Sequence, residues 1–356
     1  MPPELVVTNL NRNFTGVSAT IDQLLRFQEE KYNLLFSGAP LPAVRSKPVS
    51  IRSAIASSRQ APKSRPYVLW HVRRNCEMFW ALVARDLLKL PIKTVFTSAA
   101  IRRHSAFPRY LISRMDAVIA TSPKAASFVP NVMAVVPHGV DTERFQPAED
   151  RRRAWQATGF PGTGGIATVG RVRPEKGTDL FVETMIHELP KHPGMTALII
   201  GKTDVKFANF KAKLEQQIAN AGLSDRILFT GEIPKKDLPN TLAALSLLVA
   251  LPRYEGFGMT PLEAMASGTP VVVSDTGAYA TFLENGKSGL LVPIDNLNKA
   301  CDAVDTILGN PTLADSLALG ARETAESSFS ITRELEGVEQ VYQQLWKEES
   351  TLKAAA

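Results

Sequence analysis

The feature that most limits what this chain can fold into is an alternation of short, uninterrupted apolar runs with stretches of helical periodicity. In its second half the runs are GGIATVGRV (164–172), MTALIIG (195–201), RILFTG (226–231), SLLVAL (246–251), TPVVVSD (269–275) and SGLLVP (288–293). Helical patterns lie between them, from Thr178 to Leu189, Phe207 to Ala221, Leu238 to Leu245, and onward from Pro261. A strand that carries no polar residue at alternate positions is covered on both faces, and strands alternating with helices read as βαβ units on a parallel sheet. The pattern predicts an α/β, doubly wound domain, whose ligands sit at the carboxyl ends of the strands.

The first half repeats the alternation more weakly, with ELVVTNL, YNLLFSG, YVLWHV, KTVFTSA, AVIATS and VMAVVPHG as strand candidates. At 356 residues the chain is long for one core, and two domains are expected. Polar, charged RFQPAEDRRRAW (144–155) places the break between residues 1–146 and 147–330. A helix over about 331–350 is expected to pack back on the first domain. Basic, Pro- and Ser-rich 43–66 reads as a mobile insertion. The expectation is two Rossmann-like domains facing across a cleft.

Charge divides unevenly between them. Residues 1–146 hold 20 Lys and Arg against 9 Asp and Glu, a net +11, and the remainder 21 against 26, a net −5, which together give the +6 of the whole chain. That asymmetry points the first half at an anionic partner, or else marks a solvated basic surface. A nucleotide- or nucleic-acid-binding protein is one reading, but the basic segments lack interleaved aromatics and any nucleic-acid module. The two cysteines, Cys76 and Cys301, make neither a metal spacing nor a disulfide framework. No apolar run approaches the roughly 18 residues of a membrane span, and MPPELVVTNLN lacks the layout of a signal peptide. A cytoplasmic chain is expected.

Two strand-end loops carry the chemistry. In SLLVALPRYEGFGMTPLEAMASG a buried strand runs into a loop holding Glu255, Gly256, Phe257, Gly258 and Met259, and Thr260-Pro261-Leu262-Glu263 opens a helix. Thr260 suits an N-cap, Pro261 the first helical position, and Glu263 the third residue of a capping box, so Glu263 has a purely structural role available. Yet glycines let backbone N–H groups approach a ligand, and with the helix dipole they make an anion site. In VGRVRPEKGTDLF (169–181) a second strand ends in a glycine turn that brings Arg171, Arg173 and Lys176 to the same edge. Cations there neutralise a diphosphate.

Together, E-G-F-G-x-x-x-x-E and G-R-x-x-x-E-K-G resemble the donor-site motifs of the retaining glycosyltransferases of family 4, which have the two-domain GT-B fold. VPHGVDTERFQP (136–147), with His138 where the family usually has Asn, and GTPVVVSDTGAYATFLENGKSGLLVP (268–293) extend the similarity. The resemblance implies a donor-binding second domain and an acceptor-binding first domain. It assigns Arg171 and Lys176 to the donor diphosphate, Glu255 to the transferred hexose and Glu263 to the ribose. Gly170 and the N–H groups of Gly256, Phe257, Gly258 and Met259 join the donor site, and main-chain groups near Glu232 and Ile233 receive the base. NRNFTGVSATIDQLL (11–25) is similar to the family's glycine loop over the diphosphate, with Gly16 as its key position; a plain turn before a helix is the other reading. The chain has no D-x-D, so cationic side chains take the place of a metal, and no metal or other cofactor is expected.

One departure concerns a family histidine that touches the transferred sugar. Thr97 stands at its place, so either Thr97 substitutes or His71 or His104 takes over, His71 being expected to face the cleft from a strand end. Arg73 and Arg74 beside His71, and Arg102 and Arg103 beside His104, suit carboxylate or phosphate on an acceptor. LNRNFTGVSATI, FTSAAIRRHS and PHGVDTERF resemble in particular the lipopolysaccharide-core mannosyltransferases, which implies GDP-mannose as donor and an anionic Kdo-lipid A type glycolipid as acceptor. A UDP-hexose donor with a similar acceptor is the alternative. The stripe in CEMFWALVARDLLKL (76–90) is read as core packing rather than as contact with the inner membrane.

Overall fold

The computed structural model describes the backbone of residues 2–354 and the side chains of residues 2–347. The chain forms two compact units, one made of the residues up to Gly139 together with those from Ile331, the other of Val140–Ser330. Residues 140–146 thus belong to the second unit, where Phe145 lies in the same apolar cluster as Trp155 and its carbonyl accepts from Arg322 Nη1 at 2.7 Å.

The N-terminal unit holds six parallel strands, β1 (Leu5–Asn9), β2 (Leu34–Gly38), β3 (Val68–Val72), β4 (Ile92–Ser98), β5 (Ala117–Ala120) and β6 (Val132–Val135), in the order β2-β1-β3-β4-β5-β6. All six apolar runs are strands, and both faces are covered. Leu69 and Val95 join one apolar cluster, whereas Trp70, Val72 and Phe96 join the other. The first face is closed by the helices Gly16–Lys31 and Ile331–Ala354. Tyr342 and Trp346 of the latter pack on Tyr32 with ring centroids 6.0 and 5.8 Å away.

Two expectations are corrected here. The segment 43–66 is not a loose insertion. Val49 bonds to β2 in both directions, its N–H donating to Phe36 O at 2.8 Å and its carbonyl accepting from Gly38 N at 3.1 Å. A helix follows at Ile51–Ser57, and buried Ser58 accepts from Trp70 Nε1 at 3.0 Å. The stripe in 76–90 is only half buried: Met78, Ala81, Leu82 and Ala84 are in the core, but Phe79, Trp80, Leu87 and Leu88 are exposed. A π-helical stretch over Val83–Leu87 breaks the helical register on which a continuous buried stripe depends.

The C-terminal unit repeats the architecture with β7 (Gly164–Val169), β8 (Met195–Ile200), β9 (Ile227–Gly231), β10 (Leu245–Ala250), β11 (Val271–Ser274) and β12 (Leu290–Val292), ordered β12-β11-β10-β7-β8-β9 and all parallel. Chain entry and exit are adjacent, since Val140 N donates to Phe329 O at 2.8 Å. Strand order reverses between β1 and β3 in one unit and between β7 and β10 in the other. Ligand sites of doubly wound sheets lie at such reversals, beyond the carboxyl ends of the strands.

Candidate active site

In the C-terminal unit the two predicted loops leave β7 and β10, the strands that flank its reversal point. A short 3₁₀ turn, Pro174–Lys176, follows β7 and ends on Gly177, whose φ is +65°. A Cβ at Gly177 would lie 1.8 Å from Leu251 O, just past β10. Glycine is thus required both by the left-handed backbone and by the close approach of the two loops. Arg253 then fastens them: its Nη1 and Nη2 donate to the two Asp179 oxygens at 2.9 Å each, and its N–H donates to Glu175 O at 3.0 Å. Between the fastenings Lys176 Nζ donates to Glu255 Oε2. The side chains of the pair are 26% and 19% exposed, so a ligand reaches both. The other oxygen of Glu255 accepts from Gly256 N at 3.0 Å.

The glycine loop is held from beneath. Gly258 has φ +87°, and a Cβ there would meet Tyr279 Cε1 at 2.2 Å. Burial first, and then the Glu255 carboxylate, push the Tyr279 hydroxyl well above its usual pKa. Phe257 turns its ring into the core against Phe282. The helix begins at Met259, two residues earlier than the sequence suggested, and Gly258 precedes it with no side-chain cap. Thr260 therefore is not an N-cap, and no Thr260–Glu263 capping box forms. Pro261 instead occupies the third helical position, where its missing N–H has no intrahelical partner to lose. Glu263, partly buried in this helix, is released from the capping role.

The other donor-site candidates are spread along the same carboxyl edge. Gly170 follows β7, and the stem of Lys176 lies over it, with Cδ 3.7 Å from where a Cβ would be. Arg171 is 49% exposed and reaches Asp204 Oδ2 at 3.8 Å. Glu232 and Ile233 follow β9 at the sheet edge, two strands from β7. Glu232 is exposed, and Ile233 packs against the core.

In the N-terminal unit the sequence-predicted residues separate into four kinds. Arg74 is committed to the chain itself: Nη1 donates to Asn9 Oδ1 at 2.8 Å and Glu77 Oε1 at 3.0 Å, Nη2 to Thr15 Oγ1 at 3.2 Å and Ser18 Oγ at 2.9 Å. It thereby fixes the start of the helix that Gly16 opens, and a Cβ at Gly16 would meet nothing within 4 Å. His71 is wholly buried rather than facing outward. Its Nδ1 is 2.5 Å from Tyr342 Oη and its Nε2 2.7 Å from Thr97 Oγ1, which is the partly exposed member. Burial, with Arg73 next, holds the His71 pKa well below the usual histidine value. Arg73 is the third kind: its Nε and Nη1 are buried with no partner, and burial lowers its pKa. Arg102 and Arg103 are exposed; His104, beside them, has a buried and unpartnered Nε2.

Several residues of these sites gave no local signal. Asp179 lies 74 positions from Arg253, and Tyr342 lies 271 from His71. Glu334 likewise holds His138 Nδ1 and Gly139 N, each at 2.8 Å. Arg253 was not singled out either, although it is the basic residue directly before Tyr254 and Glu255 of the glycine-loop stretch. Among the described residues Glu188, His192 and Asp305 offer ligand atoms within 4.8 Å of one another. They lie at the opposite, amino-terminal edge of the sheet, and Lys191 is already 3.0 Å from Glu188.

A family model described as "Glycosyl transferases group 1" matches residues 155–324. The chain is 40% identical over 353 residues to the lipopolysaccharide core biosynthesis mannosyltransferase LpsB of Rhizobium meliloti (strain 1021), covering 97% of this chain and 98% of that protein. It is 40% identical over 347 residues to the lipopolysaccharide core biosynthesis mannosyltransferase LpcC of Rhizobium leguminosarum bv. viciae, covering 96% of each. Among solved structures, Anabaena Alr3699/HepE in complex with UDP superposes with a TM-score of 0.83 at 17% identity, covering 96% of this chain and 100% of that one. At that identity the likeness speaks for the fold.

Proposed function

The chain belongs to the group 1 glycosyl transferases, and on that premise we propose that it transfers mannose from GDP-mannose to an anionic sugar of a lipopolysaccharide inner core, with retention and without a metal. The observation that carries this reading is the Lys176–Glu255 pair at the reversal point of the C-terminal sheet. Lys176, with Arg171 of the same β7 loop, stabilises the negative charge that develops on the diphosphate as the sugar leaves, a preorganised electrostatic effect. Glu255 turns to the hexose hydroxyls, and Glu263 to the ribose. The N–H groups of Gly256, Phe257, Gly258 and Met259 face phosphate and sugar oxygens, Gly170 lets the chain approach closely, and Glu232 and Ile233 receive the base. Gly16, with open space where a side chain would stand, is the residue of the N-terminal unit assigned to the donor.

In the transfer the bond from C1 of the sugar to the diphosphate oxygen breaks and GDP leaves with the electron pair. The acceptor hydroxyl oxygen bonds to C1 on the same face, and its proton passes to the departing diphosphate. The net +11 of residues 1–146 supports an acceptor rich in carboxylate or phosphate. Exposed Phe79 and Trp80, and exposed Phe107 and Tyr110 with Arg102, Arg103 and Arg109 exposed near these last two in sequence, support peripheral contact with an anionic membrane surface. No helix among the described residues is long and apolar enough to cross a membrane.

Thermal stability against GDP, UDP, GDP-mannose and UDP-glucose, with and without EDTA, tests the donor, because a ligand that binds only the folded chain raises Tm. Shifts with GDP and GDP-mannose that EDTA leaves unchanged are expected. Shifts with the uridine ligands alone would retain glycosyl transfer and discard mannose from GDP-mannose.

A further inference from the structure

The N-terminal sheet ends in a group of polar atoms that no described residue satisfies. On β3, β4 and β5 the odd-numbered residues Leu69, Val95 and Ile119 face the helices Gly16–Lys31 and Ile331–Ala354. Arg73, Thr97 and Thr121 continue that parity at the carboxyl ends of the same three strands. Val72 is paired with Phe96, which puts Arg73 beside Thr97; Thr97 is paired with Ile119, and Thr121, whose N–H still donates to Ser98 O at 3.0 Å, follows two positions further on with the same parity. The Oγ1 of Thr121, 1% exposed, has no partner, and neither do Nε and Nη1 of Arg73. Ser98 Oγ is also unpartnered, but it belongs to the opposite face with Phe96.

Thr97 adds a donor whose direction is set from behind. Gln28 Nε2 donates to Tyr342 Oη at 3.1 Å, so the phenolic proton points to His71 Nδ1. His71, held neutral, then donates from Nε2 to Thr97 Oγ1, and the Thr97 proton is left to point outward. Glu334 attracts Arg73, but its two oxygens are held by His138 and Gly139. The group therefore offers a cation and hydroxyls and no free carboxylate. Unpaired buried donors, a guanidinium above all, cost several kcal/mol unless a ligand satisfies them.

We propose that Arg73, Thr97 and Thr121 form a subsite for one oxyanion of the acceptor, a sugar carboxylate or a phosphate substituent. This rests on the reading that the N-terminal unit receives an anionic acceptor, and it names the three residues that recognise the charge.

The test is calorimetric titration of the full-length chain with 3-deoxy-D-manno-oct-2-ulosonic acid, with its methyl ester, and with inorganic phosphate. The free acid is expected to bind and the ester much more weakly, with phosphate in place of the acid identifying a phosphate substituent as the source. Arg73→Gln is expected to weaken the anion by about 30-fold or more, as when one partner of a buried charge pair is removed. Thr121→Val is expected to weaken it by about three- to tenfold. The melting temperature of Arg73→Gln without ligand should equal or exceed that of the parent, because an unsatisfied buried charge is gone; a purely structural arginine would lower it. Binding of neither anion, equal binding of acid and ester without phosphate binding, or unchanged binding in Arg73→Gln would overturn the subsite. The two readings fail separately. Arg73-dependent anion binding without mannosyl transfer retains the subsite and discards the activity, whereas transfer by Arg73→Gln with an unchanged acceptor KM does the reverse.

Discussion

Lys176 Nζ donates to Glu255 Oε2 across 79 positions of sequence, so each residue is the other's counter-ion before any donor arrives. The two variants should therefore act oppositely on diphosphate binding. Lys176→Ala removes a cation and should weaken GDP far more than guanosine, with kcat down by about 10²–10³. Glu255→Gln frees Lys176, so GDP should bind as well as before or more tightly while transfer falls sharply. Titration with GDP and guanosine beside steady-state kinetics checks both; parallel losses of GDP binding in the two variants would contradict this assignment.

The proposal that Arg171 and Lys176 take the place of a metal predicts that transfer continues at full rate in EDTA. Loss of activity in EDTA that Mg²⁺ restores would show that Arg171 and Lys176 are not sufficient counter-ions for the departing diphosphate.

Gly177 and Gly16 should respond differently to the same change. At Gly177, φ is +65° and a Cβ would lie 1.8 Å from Leu251 O, so Gly177→Ala should cost at least about 1–3 kcal/mol. It should also lower kcat, since Lys176 is displaced with the turn. At Gly16 nothing lies within 4 Å, and Gly16→Ala should stabilise the helix by about 0.4–1 kcal/mol while raising the donor KM. Thermal melts and donor kinetics on the two variants separate strain in the chain from approach of a ligand.

Buried His71 makes stability depend on pH. Its folded pKa is well below 6.5, chiefly through burial, so below pH 6.5 the unfolded chain takes up a proton that the folded chain does not. Its contribution is intact above about pH 6.5 and is lost as the pH falls, with a limiting slope of about 1.4 kcal/mol per unit. Denaturant melts between pH 7.5 and 5.5 should show this slope, and His71→Gln should flatten it even though its stability at pH 7.5 is lower.

The two cysteines should differ in reactivity. Burial first, and then Glu188, push the Cys301 thiol up to about 12, leaving a thiolate fraction on the order of 10⁻⁴ at pH 8. Cys76 is exposed. Alkylation followed by mass spectrometry should modify Cys76 first, and Glu188→Gln should speed the modification of Cys301.

The strands were legible because burial on both faces leaves an uninterrupted apolar signature, and all twelve candidate runs lie on strands of the two sheets. The loops around Lys176 and Glu255 were legible because glycine punctuates strand ends that approach one another. What the sequence could not show was partnership across long separations. Nothing near Arg74 says that its four donor contacts fall on Asn9, Thr15, Ser18 and Glu77, so it read as a free cation like Arg73. His71 read as outward-facing because strand-end position predicts exposure only when no later element covers it, and the helix carrying Tyr342 does. The helix at Met259 was misplaced by two residues because a threonine followed by proline is a strong local start, which the packing of Gly258 on Tyr279 overrides.

The adjacency of Val140 and Ser330 has a consequence for synthesis. The C-terminal unit is a continuous cassette whose two ends meet, so every residue of its core is made in one uninterrupted stretch. The N-terminal unit is interrupted by that cassette, and its core lacks Val338, Val341, Tyr342, Leu345 and Trp346 until the closing helix emerges. Of the two units, the one whose synthesis starts earlier is thus the one completed later, and a chain stopped after Ser330 carries a complete second unit and an open first one.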